Sequence, residues 1–543
     1  MTPTQLENGA VSVSYDSLEH VPRSSFKKVV MVWIHDIDAY KALPVGLQYM
    51  GSQLLRDGYE PKILNLYMPA VVEDLSEEYK ELLRQECKDA LMLGLSAMTN
   101  QAYRSLQVTQ FVKDLYPDII SVWGGIHASI FPEQTAENPY IDYVVIKEGE
   151  STFSQLLKEI KNGRHFSKVD GLAYKDKKGK VVVNCPRSLM DFSQIERPNW
   201  DIVDGFVREN LSQYFWGDNI KFTEVHTGRG CPHRCTFCVD YILYGKSWRP
   251  RKSDDILDEM QLVIDRYDVN LVELRDENFF VDFKRVEEFC DKKIARGMTA
   301  KWGAAMRADY FERVTDEFMA KLEKSGCYHL WFGVESGNQR ILDLIKKDMK
   351  LEHFYKSAHF CKKYNIMPLY SFMIGQPTET CDEMKDTVKL IRDLVRINQR
   401  TGILGPQILR PYPGCELYDL CVEHGFVAPK KLEEWEKVDR IALFYLSTDA
   451  LPWLPDKEFV EIVAQYTPKT YNNFIRVSNP LWKFAFDSRS KMYEKGLWGY
   501  MDAKQGSVAR KAYVKYLKSL DSTTRFGKKI VKKTSNILEY YVS

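Results

Sequence analysis

No stretch of this 543-residue chain approaches the ~18 to 20 consecutive apolar residues that a membrane-crossing helix needs. Charge of one sign is also lacking: 76 lysines and arginines stand against 75 aspartates and glutamates, a net +1. That balance offers no broad basic field for nucleic acid. No secretory signal is recognisable, and the eleven cysteines, an odd number mostly scattered singly, do not make a disulfide framework. The expectation is a reduced, cytoplasmic protein without a nucleic-acid partner. With 44% hydrophobic and 13% aromatic residues, the chain can fill sizeable cores, and its length suits two to four domains.

One group of cysteines breaks the scatter: Cys231, Cys235 and Cys238, in Thr227-Gly-Arg-Gly-Cys-Pro-His-Arg-Cys-Thr-Phe-Cys238. Thiolates are the usual protein ligands of iron–sulfur clusters, and a four-iron cubane held by three of them keeps one iron open. A structural zinc site normally takes four ligands as two separated pairs, and no second close cysteine pair exists in the chain. His233 lies inside the loop and could close a zinc site only with strain. Upstream, residues 221–227 read as a strand, and Gly228 and Gly230 allow a tight turn into the cysteines. Strand-like segments follow at 270–274, 300–305, 329–333, 368–374 and 402–409, alternating with amphipathic stretches such as 253–267 and 316–324. Six such strand–helix units predict an open partial barrel with its site on the carboxyl-end rim.

The spacing of three residues and then two, with Phe237 just before the last cysteine, resembles the signature of the radical S-adenosylmethionine (radical SAM) superfamily. The resemblance implies a 4Fe–4S cluster on Cys231, Cys235 and Cys238, whose open iron binds S-adenosylmethionine and yields a 5′-deoxyadenosyl radical. It also implies roles along the rim, with Phe237 beside the cofactor. Asp276 and Glu277, in Asp276-Glu-Asn-Phe279, would approach the amino group of S-adenosylmethionine. Arg307 ends the third strand, Glu335 and Ser336 in Gly333-Val-Glu-Ser-Gly337 end the fourth near the cofactor's polar end, and backbone near Gly375 would meet adenine. Arg410-Pro-Tyr-Pro-Gly414 closes the sixth. Taken singly, each of these residues is equally well a turn or helix cap.

The first part of the chain shows near-continuous Val/Ile/Leu runs at 27–34, 60–66, 90–96, 119–125 and 143–146, alternating with helices at 44–57, 101–115 and from Thr152. That pattern predicts a doubly wound, Rossmann-like parallel sheet with ligand at the carboxyl ends of its strands. It resembles the cobalamin-binding domain that precedes many radical SAM enzymes, through Ser96-Ala-Met98 with Thr99, Gly124-Gly125 with His127, Pro132-Glu133 and Glu148-Gly-Glu150. The resemblance implies a nucleotide tail passing over Gly124 and Gly125. The Asp-x-His-x-x-Gly pattern of classical cobalamin modules is missing; Ile34-His-Asp-Ile-Asp38 does not match it. Cobalamin is therefore expected without a histidine lower ligand, with His35 a loop or cap residue.

The domain expectation is an N-terminal extension (1–26), a cobalamin-binding-like domain (27–165), a hairpin and linker (166–215), the radical SAM partial barrel (216–420) and a mainly helical, basic C-terminal region (421–543). The hairpin at 171–184 reads as a connector between the two sheets. The tail gathers Arg510, Lys511, Lys515, Lys518, Arg525 and further lysines among aromatics; a solvated face explains it better than weak contact with an anionic membrane surface. The function implied is a cobalamin-dependent methyltransferase acting on an unactivated carbon or phosphorus of a small molecule, whether natural-product, lipid or tetrapyrrole intermediate. Electrons would come from a donor such as flavodoxin or ferredoxin. The alternatives are a cyclase or rearrangement enzyme with the same cofactors, of the anaerobic tetrapyrrole cyclase type, and a non-catalytic iron–sulfur or zinc protein.

Overall fold

The computed structural model describes residues 27–36, 42–68, 74–163, 165–211, 220–435, 448–472, 482–503 and 508–517. The extension at 1–26 and the basic residues from Lys518 onward lie outside them. Two sheets organise the chain. In the first, β1 (Lys28–Asp36), β2 (Glu60–Met68), β3 (Ala90–Ser96), β4 (Ile120–Gly124) and β5 (Tyr143–Val145) pair in parallel in the order β2-β1-β3-β4-β5. Helices on both faces explain why β3 is buried along nearly its whole length. The reversal of strand order beside β1 opens a crevice at the carboxyl ends of β1, β3 and β4.

The hairpin of β6 (Leu172–Lys175) and β7 (Val181–Val183) does not stand between the sheets as expected. It extends the first one, with β6 antiparallel to β5, which covers an otherwise open edge of the sheet. The helix Glu77–Cys87, not anticipated, buries only Leu83 and Cys87, too narrow a stripe to register as periodicity.

The second sheet is built from β8 (Phe222–His226), β11 (Leu271–Arg275), β12 (Lys301–Ala305), β13 (Cys327–Glu335), β14 (Met367–Ile374) and β15 (Gly402–Ile408), all parallel and in chain order. Between β8 and β11, the short strands β9 (Gly228–Arg229) and β10 (Arg249–Pro250) form an antiparallel clip on the cysteine loop. β8 and β15 do not pair, so the barrel is open, as expected. The helices Ser253–Tyr267 and Asp316–Lys324 have the expected bounds; the latter starts on a Thr315 cap that accepts from Phe318 N. The free edge of β15 is blunted by Asn472, whose side-chain amide accepts from Ile403 N at 2.9 Å and donates to Ile403 O at 2.7 Å. Among the described residues no helix is long and apolar enough to cross a membrane.

Candidate functional site

The cysteine loop is held from beneath by the two acids that follow β11. Thr227 donates its backbone N–H to Asp276 Oδ1 at 3.0 Å, and its hydroxyl donates to the same oxygen. Gly230 N donates to Glu277 Oε2 at 3.1 Å. Gly230 sits at φ +84°, and a Cβ there would come within 2.3 Å of Ser247 O, so only glycine makes this turn. Asp276 and Glu277 thus hold the loop rather than standing free toward a ligand, although Asp276 Oδ2 is buried without a partner. Burial, and then the neighbouring Asp240, push the Glu277 carboxyl up to about 8.

Cys231, Cys235 and Cys238 are free thiols, each partly buried, and Cys238 N donates to Cys235 O to turn the loop. Burial raises the Cys231 and Cys238 thiols above their ordinary range; a bound metal centre reverses that by supplying positive charge. A structural zinc site asks for a fourth ligand beside three thiolates. His233 has its Nε2 engaged by Tyr310 Oη at 3.0 Å. The donor set fits a cluster with one open iron better than a mononuclear ion. Arg307 stands beside it, with Nη1 at 3.8 Å from Cys235 Sγ and its fork fixed by Asp309 at 3.0 Å and Lys347 O at 2.7 Å.

Next to the loop, a cavity of about 260 Å³ at the ends of β13, β14 and β15 is lined by Phe237, Glu335, Met373, Arg410, Tyr412 and Cys415, among others. Glu335, at φ +68°, pairs with Lys347 at 3.0 Å, and Lys347 Nζ lies 5.2 Å above the Phe237 ring. A Cβ at Gly333 would meet Glu335 Oε1 at 2.4 Å and Lys347 Nζ at 2.8 Å, so a larger residue there would displace this ion pair. Phe237 and Glu335 are thus brought together as expected. Two other expected residues are not. Ser336 is fully buried and accepts from Asn338 N, a turn role. Gly375 has its N–H taken by Glu379 at 2.6 Å, and its carbonyl already accepts from Trp453 Nε1 at 2.8 Å, so the N–H is not free for adenine.

The larger cavity, about 310 Å³, lies where the first sheet meets the barrel. Ser96, Met98, Gly124 and Gly125 line it from the strand ends; His226, Arg229 and Tyr244 close it from the barrel side. Gly125 adopts φ +88°, and a Cβ would come within 2.8 Å of the Ala97 backbone. Gly46 leaves open wall where a Cβ would meet nothing within 4 Å. A largely apolar crevice walled by strand-end backbone suits the flat heterocycle of a nucleotide tail. Thr99 and His127 do not line this cavity. His127 is buried against Trp435 at 5.0 Å, with Nδ1 3.4 Å from Thr99 Oγ1, and burial alone lowers it to about 3; it is a neutral packing residue. His35 is a strand residue rather than a loop or cap, bonded to Asn65 at 3.0 Å and stacked on Tyr67 and Phe206.

The feature that sequence reasoning missed is a buried ion-pair knot between the two halves. Arg229, two residues before Cys231, binds Glu148 at 2.9 Å and Glu150 at 2.7 Å, and Arg249 binds Glu148 at 2.7 Å. The Glu148-Gly-Glu150 motif therefore grips the cysteine loop, while the Arg229 guanidinium lies over the Tyr49 and Phe192 rings. No local signal paired these residues, which are 79 to 101 positions apart.

Residues 38–157 match the family model of the B12 binding domain and residues 225–391 that of the radical SAM superfamily. The chain is 28% identical to an uncharacterized methyltransferase of Pyrococcus horikoshii over 84% of this chain and 93% of that one. It is also 28% identical to the anaerobic magnesium-protoporphyrin IX monomethyl ester cyclase of Rubrivivax gelatinosus, over 64% and 62%. The cytidylyl-2-hydroxyethylphosphonate methyltransferase of Streptomyces wedmorensis is 24% identical over 72% and 79%. In fold it is similar to the radical SAM methyltransferase TsrM of Kitasatospora setae, solved with cobalamin and a 4Fe–4S cluster, at a TM-score of 0.60 and 15% identity over 92% of this chain and 100% of that one. The parallel sheet of the first half and the open barrel that follows it thus coincide with the two matched models: the chain carries a B12 binding domain followed by a radical SAM domain.

Proposed function

We propose that this protein is a cobalamin-dependent radical SAM methyltransferase acting on an unactivated carbon or phosphorus centre of a small molecule. The observation that carries the reading is Arg229, which forms part of the wall of the strand-end cavity and is anchored two residues from Cys231. When bound, the cluster supplies the electron that cleaves S-adenosylmethionine, and cobalamin carries the methyl group to be transferred. In this reading Cys231, Cys235 and Cys238 hold the cluster, with Arg307 tempering the charge beside Cys235. Phe237 and Glu335 shape the S-adenosylmethionine pocket, while Ser96, Met98, Gly124 and Gly125 cradle the cobalamin tail. Trp453 and the segment around it cover the rim near Gly375, which helps keep water from a reactive radical. No side-chain base is required of the chain. The relatives with methyltransferase names support transfer of a methyl group; the cyclase relative supports a second reading, oxidative ring closure with the same cofactors.

A cytoplasmic location and a flavodoxin or ferredoxin donor belong to the same proposal. Membrane contact through the tail is weakened by Arg510, which is not a free surface cation: it pairs with Asp456 and lies over Tyr500 at 4.1 Å. Anaerobic incubation of the reconstituted protein with methyl-labelled S-adenosylmethionine and candidate acceptors separates the two readings. Label in the product together with 5′-deoxyadenosine supports methylation; unlabelled product with 5′-deoxyadenosine supports ring closure. No 5′-deoxyadenosine at all contradicts both.

A further inference from the structure

Among the described residues, the 260 Å³ cavity carries one charge without a partner of opposite sign. Glu335 is neutralised by Lys347. Burial raises the Cys415 thiol and pushes Cys421 and Tyr418, which also line the cavity, up to about 12, so these groups stay neutral. Arg410 remains. Among the described residues no carboxylate pairs with it; its one side-chain hydrogen bond is a long contact from Nη1 to Tyr412 Oη at 3.4 Å, and its Nε is buried without a partner. A guanidinium does not give up its proton, and although Arg410 is partly exposed, its buried Nε has no acceptor. Its planar fork matches two oxygens of a carboxylate or phosphate.

We propose that Arg410 is the anion-binding residue of this cavity, its guanidinium taking oxygens of a carboxylate or phosphate on the molecule bound there. The inference rests on reading this cavity as the S-adenosylmethionine pocket. Two molecules can bring the oxygens: S-adenosylmethionine through its own carboxylate, or the methyl acceptor through an acid group. The deepened reading is that, unless the nucleoside itself supplies the charge, the acceptor is an acid.

Calorimetry on the full chain, as wild type, Arg410→Gln and Arg410→Met, tests this with three probes: S-adenosylhomocysteine, its decarboxylated counterpart and inorganic phosphate. Both variants should fold with a Tm at or above that of wild type, because the cation removed has no carboxylate partner among the described residues. At least one anionic probe should bind the variants about tenfold or more weakly, consistent with loss of a charge-assisted pair, while the decarboxylated probe stays within about twofold. A loss for S-adenosylhomocysteine assigns the carboxylate to the nucleoside; a loss for phosphate alone assigns the anion to the acceptor. Unchanged binding of both anionic probes, an equal loss for the decarboxylated one, no binding of either anion to wild type, or variants with a lowered Tm overturn the proposal. If phosphate binds but neither nucleoside probe does, the S-adenosylmethionine reading of the cavity fails, and the phosphate arm still decides the role of Arg410.

Discussion

His127 and His226 are both held neutral in the folded chain, each lowered to about 3, by burial in the first case and by burial with Arg229, Arg251 and Arg275 in the second. In the unfolded chain each takes a proton near pH 6.5. Because the folded value is the lower one, this contribution is complete above pH 6.5 and is lost as pH falls toward 3, by about 1.4 kcal/mol per unit for each histidine. Urea unfolding between pH 7 and 5 should therefore show a steeper loss in wild type than in His127→Gln; equal slopes would contradict the assignment. The cysteines make the sharper residue-scale prediction. Alanine at any one of Cys231, Cys235 or Cys238 should lower bound iron and 5′-deoxyadenosine formation by at least about 100-fold, since two thiolates do not hold a cubane. Wild-type iron content in Cys235→Ala would falsify the ligand set.

At the scale of elements, the knot of Arg229 with Glu148 and Glu150 joins the first sheet to the cysteine loop. Removing one partner of a buried pair leaves the other charge stranded, at about 3–5 kcal/mol. Arg229→Met should lower stability by that order and weaken cobalamin binding, because Glu150 then keeps a buried charge with nothing opposite; a Tm within a degree of wild type would count against the knot. The strands were legible in the sequence because they are continuous apolar runs, and β3 was read to the residue. What could not be read was long-range. The hairpin β6–β7 shows its turn in Asp176 to Gly179, but nothing local says that its outer partner is β5. The site divided in the same way. The resemblance to family motifs pointed to Phe237, Glu335 and Gly125, which line the two cavities, whereas Ser336, Gly375 and His127 are engaged by a turn, a glutamate and a tryptophan. A motif fixes which residue ends a strand; which neighbours take its hydrogen bonds is decided by tertiary packing.

For the whole molecule, the sheet of the first half and the open mouth of the barrel enclose one crevice, with the cysteine loop part of its wall. A ligand that binds only the assembled interface must stabilise both halves together. Hydroxocobalamin at 100 times its Kd should stabilise the full chain by about 2.7 kcal/mol, read as a rise in Tm. Gly125→Ala, strained at φ +88° and short of space beside Ala97, should lose most of that rise; an undiminished rise would place cobalamin elsewhere. The most direct measurement of the central claim is the iron and cobalt content per chain after oxygen-free isolation and cobalamin loading. The account predicts about four iron atoms together with one cobalt, both retained through gel filtration. Iron at that level with no cobalt retained, or cobalt with no iron, would contradict a chain that brings the two cofactors to a single interface.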